Sequence, residues 1–363
     1  MSRTWITSNA ELCVQLRDVS ENAWTIDDVE HADLAATEII TVGWNDWAKD
    51  AAFKLRDRAI PAEKLSYVDL RKGDDVLVRI GSPKHLFWDD VIPVEDIEDE
   101  DFEVYPSGIS FLDLNLGWGW RLPELVVLCG PYGCGKSTLG QLLAAEFVHG
   151  AGRGLGSGAM LCSWEDLASE VKRNMGMFAT SRRAPDIGKR VHFVRRKASE
   201  DRLVSWYMDL VRYHKRRYGT RFFFLDPWNE MDHQRDHRQM ETDYVMDMMR
   251  LFRDLVDQEG IIIIIATHIP GKYIKGNGDI EPFKIGNAFG SSNFGNKADR
   301  GICLARTKKI DPNKGHAIIR LDKAKVERKM GRRGTIAAWL DDKEFRLNFD
   351  AWATGEVQDI WKD

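Results

Sequence analysis

The sequence predicts an α/β protein built on a central, mostly parallel sheet, with a smaller α/β domain ahead of it. Three observations carry this. A buried-strand run, Glu124-Leu125-Val126-Val127-Leu128-Cys129, leads through a glycine-rich loop into Thr138 to Val148, where apolar residues recur at helical spacing. Two more apolar runs of strand length, Arg221 to Asp226 and Ile261 to Ala266, end in polar residues. Strands apolar throughout belong to sheets covered by helices on both faces. Third, residues 89–103 hold nine acids and no base, the composition of a solvated linker. The expected organisation is a small N-terminal domain over 1–92, an acidic linker over 93–104, the main α/β domain over 105–350 and a tail over 351–363.

Composition narrows the function classes. With 43% hydrophobic and 30% charged residues, the chain can bury a core, which excludes a disordered or fibrous protein. The longest apolar run, Ile261 to Ala266, is far below the roughly 18 residues a membrane span needs. Met1 to Trp5 forms no apolar signal segment, so the expectation is a cytoplasmic protein with no membrane partner. Cys13, Cys129, Cys134, Cys162 and Cys303 form no CxxC pair, which argues against a zinc knuckle or a disulfide framework and fits a reducing compartment. The net charge of −5 argues against a basic nucleic-acid coat. Yet residues 300–334 carry twelve Lys and Arg against three acids. They alternate with strand-like pieces (317–319, 336–339), as in hairpins. Positive charge is thus concentrated where a polyanion could pass, while the rest keeps the chain soluble.

Gly130-Pro131-Tyr132-Gly133-Cys134-Gly135-Lys136-Ser137, followed by Thr138, matches GxxxxGK[ST] in the required strand–loop–helix order. Glycines let backbone N–H groups turn toward phosphates, and the helix N-terminus adds its positive end. Lys136 would reach the β- and γ-phosphates, and the Ser137 hydroxyl would hold Mg²⁺. Asp226, at a strand end, would share that Mg²⁺. Ala159 to Ser163 reads as a further strand. Glu165 at its tip is the candidate to polarise an attacking water, with Asp166 expected to cap the next helix. His268, at the tip of the isoleucine strand, is the candidate γ-phosphate sensor.

Together these pieces resemble the RecA-like helicase domain of the DnaB family, especially its phage primase–helicase and Twinkle-type versions. Tyr105-Pro106-Ser107-Gly108-Ile109-Ser110-Phe111-Leu112-Asp113 is similar to the family's lead-in segment. Cys162-Ser163-Trp164-Glu165 resembles its Ser-x-Glu, which implies that Glu165 is the catalytic base. Asp226-Pro227-Trp228-Asn229-Glu230 and His268-Ile269-Pro270-Gly271-Lys272 resemble its Walker B and sensor segments. Gly290 to Gly301 resembles its channel loop, which implies single-stranded DNA contacts from Ser291, Ser292, Asn293, Phe294, Asn296 and Lys297. Asparagine and lysine suit phosphate oxygens, and an exposed phenylalanine suits base stacking. The family's Lys-x-Arg pair departs here: Lys323 matches, but Lys325 stands at the position of the trans-acting arginine. Lysine lacks the bidentate fork of arginine, so Arg328 or Arg320 are alternatives for that role. Residues 1–92 resemble a degenerate Toprim-like fold through Ile39 to Ala52 and Asp69 to Leu77, with Asp46 alone of its acidic pair. An unrelated assembly or loading domain fits these residues as well.

The resemblance implies an ATP- and Mg²⁺-dependent DNA helicase or translocase of DNA replication. It implies a homo-oligomeric, hexameric ring, single-stranded DNA as partner, and contact with polymerase, primase or loader. A phage origin would place it in the host cytoplasm. The competing readings are a RecA-like recombinase or annealing ATPase, a regulatory DNA-binding ATPase without unwinding, and a small-molecule P-loop kinase.

Overall fold

The computed structural model describes residues 3–17, 23–25, 38–44, 47–57, 60, 64–72, 74, 79, 83–85, 104–150, 157–194, 202–231, 238–274, 280–288, 292–307, 316–325 and 331–360. The acidic linker, Asp46, Ser291 and Arg328 lie outside the described residues. The chain divides into two compact units, Met1–Glu100 and Asp101–Asp363.

The first unit is a five-stranded sheet in the order β2-β1-β3-β4-β5. Its strands are β1 (Arg3–Thr7), β2 (Ala23–Thr25), β3 (Glu38–Trp44), β4 (Leu65–Leu70) and β5 (Lys84–His85). All pair in parallel except β5, which runs antiparallel to β4. Side chains alternate across a strand, so Trp5, Ile40 and Val42 face one way with α1 (Ala10–Arg17), where Leu12, Cys13 and Leu16 are buried. Ile6, Ile39 and Leu65 face the other way with Ala52 and Leu55 of α2 (Trp47–Asp57).

The second unit opens with a short antiparallel pair, β6 (Val104–Pro106) and β7 (Gly119–Arg121), around α3 (Ser110–Leu116). Its nine-stranded sheet runs β10-β9-β11-β12-β8-β13-β14-β15-β16. Six strands are parallel: β8 (Glu124–Gly130), β9 (Ala159–Ser163), β10 (Val191–Phe193), β11 (Phe222–Asp226), β12 (Ile262–His268) and β13 (Arg300–Thr307). Three continue antiparallel: β14 (His316–Ala324), β15 (Gly334–Asp341) and β16 (Arg346–Phe349).

Every residue of β8 is buried, because both faces are covered. Val126 and Leu128 pack with α4 (Lys136–His149) and with α5 (Ala168–Ser181), which precedes the short α6 (Ile187–Arg190). Leu125, Val127 and Cys129 pack with α7 (Val204–Tyr218) and α8 (Glu241–Glu259). The short α9 (Asn293–Lys297) and the C-terminal α10 (Ala351–Ile360) complete the unit. Gly140 lets α4 sit close on the sheet: a Cβ there would stand 2.2 Å from the Phe224 ring. Among the described residues, all five cysteines are free and buried. No described helix is long and apolar enough to cross a membrane.

Candidate nucleotide-binding site

The register of the parallel strands assembles the site. Asp226 lies opposite Ser163, and His268 lies opposite Gly130. The order β9-β11-β12-β8 therefore sets Glu165, Asp226, His268 and the glycine loop side by side at the C-terminal edge. Open α/β sheets bind ligands at that edge.

The loop turns through left-handed backbone at Gly133 (φ 69°) and Gly135 (φ 99°), a region that side chains with a Cβ disfavour. Gly135 is the N-cap of α4 and supplies no side-chain cap. The first amides of the helix are left for an anion. Lys136 is 5% exposed and folds back over the loop. Its ammonium donates to the carbonyls of Gly130 (3.2 Å) and Pro131 (3.0 Å) and to Nδ1 of His268 (3.0 Å). Those are three partners for three donors, so incoming phosphates would take over places the backbone now holds.

An ammonium only donates, so His268 Nδ1 accepts and the ring proton sits on Nε2. That atom lies 3.8 Å from Glu165 Oε1. Burial, reinforced by the Lys136 charge, pushes His268 down to about 4, which keeps the imidazole neutral. Partial burial raises the Glu165 carboxyl above its usual range; Lys136 opposes the shift, while Glu230 and Asp166 add to it. A base of raised pKa near the loop suits proton abstraction from water.

Asp226 is 1% exposed, and neither carboxylate oxygen has a partner in hydrogen-bond geometry. Burial pushes it up to about 7, with the Ser137 hydroxyl pulling down and the charges of Asp166 and Glu165 pushing up. A buried carboxylate without partners is costly, and a divalent cation offsets that cost. Ser137 and Asp226 present the hard oxygen donors that suit Mg²⁺ completed by water and phosphate. The site fits that ion.

Several groups escape a reading of the sequence. Asn229 Oδ1 accepts from the Thr267 hydroxyl (3.2 Å) and the His268 N–H (3.0 Å), tying the end of β12 to the turn after β11. A pocket of about 200 Å³ opens beside Gly135 and Thr138, lined by Leu304, Arg306, Ile319, Leu340 and Asp342 among others. Its mostly aliphatic lining with a few polar groups suits a nucleobase. These residues are spread over three strands and the turn after them, and no local pattern announces them.

Three expectations need correction. Asp166 does not cap a helix. The N-cap of α5 is Leu167, with no side-chain cap, and Asp166 instead accepts from the Gln141 amide (2.9 Å) in a network with Asn174. Phe294 does not stand ready to stack on a base: it is fully buried, edge-on to Trp228 at 5.6 Å. Arg320 is 6% exposed and paired with Asp322 at 3.1 Å, so it does not reach outward.

The remaining candidates lie elsewhere. Residues 293–297 form α9 rather than an open loop. Ser292, Asn296 and Lys297 are exposed, whereas Asn293 is half-buried and donates to the Thr242 carbonyl. Lys323 donates to the carbonyls of Gly295 (2.7 Å) and Asn296 (3.0 Å), and Lys325 stands 3.7 Å from Asp299. Partial burial, then the Lys325 charge, lowers the Lys323 pKa. Ala324 pairs with Arg300, and Arg300 with Val126. The two lysines therefore flank the edge of the sheet where β8 begins. Gly130 is four residues on, about 13 Å at strand rise. They do not join the chain's own phosphate loop.

A RecA-like ATPase fold is thus defined by its sheet order and strand-tip site. No protein-family model matches the sequence. Over 112 residues, 31% of this chain, it is 31% identical to the Twinkle homolog protein, chloroplastic/mitochondrial, of Arabidopsis thaliana; the match spans 15% of that protein's length. Among solved structures, an ATPase domain superposes with a TM-score of 0.53 at 16% identity, covering 70% of this chain and 95% of that one. A DnaB-like replicative helicase, solved for its interactions with primase, gives a TM-score of 0.53 at 16% identity, covering 76% and 68%. The comparisons reach the same group that the motifs resemble, the DnaB-like helicases and Twinkle. The fold matches that of the two solved domains.

Proposed function

We propose that this chain is the ATP-hydrolysing motor of a DnaB-like replicative helicase, translocating on single-stranded DNA as a ring. The observation that carries the reading is the buried Asp226 carboxylate, with only the Ser137 hydroxyl beside it, set between Glu165 and His268 at the mouth of a glycine loop. The unsatisfied acid implies a cation, and the loop implies phosphates.

ATP would lie with its base in the Leu304–Leu340 pocket and its phosphates on the amides of Gly133 to Thr138. Lys136 would leave the loop carbonyls for the β- and γ-oxygens. Mg²⁺ held by Ser137 and Asp226 would neutralise phosphate charge. Glu165 takes a proton from water as its oxygen attacks the γ-phosphorus, and the bond to the β–γ bridging oxygen breaks, leaving ADP and phosphate. His268, neutral and hydrogen-bonded to Lys136, senses whether that lysine is engaged by phosphate. Ser292, Asn296 and Lys297 present the exposed polar surface for DNA phosphates. Lys323 and Lys325, remote from their own loop, act across a subunit interface.

The test is unwinding of a forked duplex with ATP and Mg²⁺, with Lys136→Ala as control. Strand separation by the wild type alone is expected. DNA-stimulated ATP hydrolysis without strand separation would favour a regulatory DNA-binding ATPase, the reading supported by lysine at position 325. Filaments in place of rings on single-stranded DNA would favour a recombinase.

A further inference from the structure

The segment from Asp226 through Pro227 to the turn Trp228–Glu230 faces three ways. Asp226 addresses the phosphate loop, and Asn229 holds the backbone of the sensor His268. Trp228, 3% exposed, turns into the core between α8 and α9. There it stands edge-on to Phe294 at 5.6 Å and 81°, with Phe252 at 6.2 Å and Tyr244 at 6.4 Å around it. Phe294 is the fully buried aromatic side chain of α9. Asn296 and Lys297, exposed, follow it by two and three residues.

We propose that Trp228 and Phe294 are a positioning pair that transmits DNA contact on α9 to the Asp226–His268 site. Edge-to-face aromatic pairs are directional, and packed cores shift between discrete arrangements rather than stretch. A displacement of α9 by a bound strand moves Phe294, and Trp228 follows. Trp228 is one residue from Asn229 and two from Asp226, so its movement reaches both the sensor backbone and the metal carboxylate. DNA thereby sets the alignment of the ATPase site without touching it. This rests on reading α9 as the DNA contact and the strand tips as an ATPase.

The experiment measures ATPase kcat and KM with and without oligo(dT), and oligo(dT) affinity by fluorescence anisotropy. Phe294→Leu is compared with Phe283→Leu, a matched truncation of another buried phenylalanine that packs on Tyr273 instead. For Phe294→Leu, basal kcat, KM and oligo(dT) affinity stay near wild type, while stimulation by DNA falls about tenfold, within the usual range of site–site coupling. Phe283→Leu keeps its stimulation. Trp228→Phe, which preserves an aromatic ring, lowers stimulation by itself, and the double variant with Phe294→Leu is no worse than the stronger single change. Should Phe294→Leu not fold, Trp228→Phe carries the test alone. Wild-type stimulation in Trp228→Phe or Phe294→Leu overturns the proposal, as does equal loss in Phe283→Leu. Absence of stimulation in the wild type instead sinks the ATPase–DNA reading beneath it.

Discussion

The strand-tip site and α9 use similar polar side chains in opposite ways. At the strand tips, polar groups are buried before a ligand arrives. Asp226 has only the Ser137 hydroxyl beside it, and the amides heading α4 carry no side-chain cap. On α9, the inward groups are already served: Asn293 by Thr242, and the carbonyls of Gly295 and Asn296 by Lys323. Only Ser292, Asn296 and Lys297 are left facing solvent. The first region holds an unmet demand and so identifies its ligand chemically. The second is a finished structural element with a polar rim, and its partner must be sought on that rim.

Substitutions can break or sharpen this contrast. The largest effect belongs to Glu165→Gln, which removes the proton acceptor and keeps the shape. Its kcat for ATP hydrolysis should fall by about 10²–10⁴, with ATP affinity little changed in equilibrium binding. A wild-type turnover would remove Glu165 as the base. Lys297→Ala is next: stimulation of the ATPase by oligo(dT) should drop about tenfold, as expected from losing a phosphate contact in a shallow surface site, and the basal rate should stay. Normal stimulation would take α9 out of the DNA reading.

Asp226→Asn gives a third, less intuitive outcome. In metal-free buffer the thermal midpoint should rise, by the equivalent of about 1–2 kcal/mol, because a buried charge with only the Ser137 hydroxyl beside it has been removed. A lower midpoint would mean that Asp226 is served within the fold. The smallest effect is on acid stability. Burial holds His268 and His214 at about 4, below the usual 6.5. As pH falls through that window the unfolded chain takes up protons first, so stability present above 6.5 is lost toward 4. Asp226, raised to about 7, works the other way: the folded chain protonates first and gains stability over the same window. Burial also raises Asp113, Glu124, Glu146, Glu165 and Asp166, which act in the same direction as Asp226, so calorimetry from pH 7 to 4 should show a steeper acid-side decline in Asp226→Asn than in the wild type. Parallel profiles in the variant and the wild type would contradict the raised Asp226 carboxyl.

What can be read in advance follows the range of the interactions. The turn of the glycine loop is legible because its geometry is contiguous, although the contact of Lys136 with His268 is not. The strand tips are legible because an apolar run ending in Asp226 or His268 can only bring that residue to the sheet edge. Phe294 misleads because it lies in a stretch of glycine, serine and asparagine, which suggests exposure. Its burial is decided by Trp228, far away in the sequence. Asp166 misleads for the same reason, since the amide that claims it comes from Gln141 on the preceding helix. The pocket beside Gly135 is out of reach because Leu304, Arg306, Ile319 and Leu340 meet only once β13, β14 and β15 have paired. Asn229 sits inside a recognisable motif, yet its bond to the His268 backbone requires two strands to be set side by side.

Gly140 bears on how much error this site tolerates. With the Phe224 ring 2.2 Å from where a Cβ would stand, α4 has no clearance over the sheet, and the two behave as one part. The N-terminus of α4 then inherits the rigidity of β11, whose last residue is Asp226. The distance between the first amides of α4 and the Asp226 carboxylate is therefore gauged by a glycine one helical turn away, much as a shim of zero thickness sets the gap between two machined faces. A single methyl group there would lift the helix, cost about 1–3 kcal/mol as an overpacked core does, and open that gap without altering any residue proposed to touch the nucleotide.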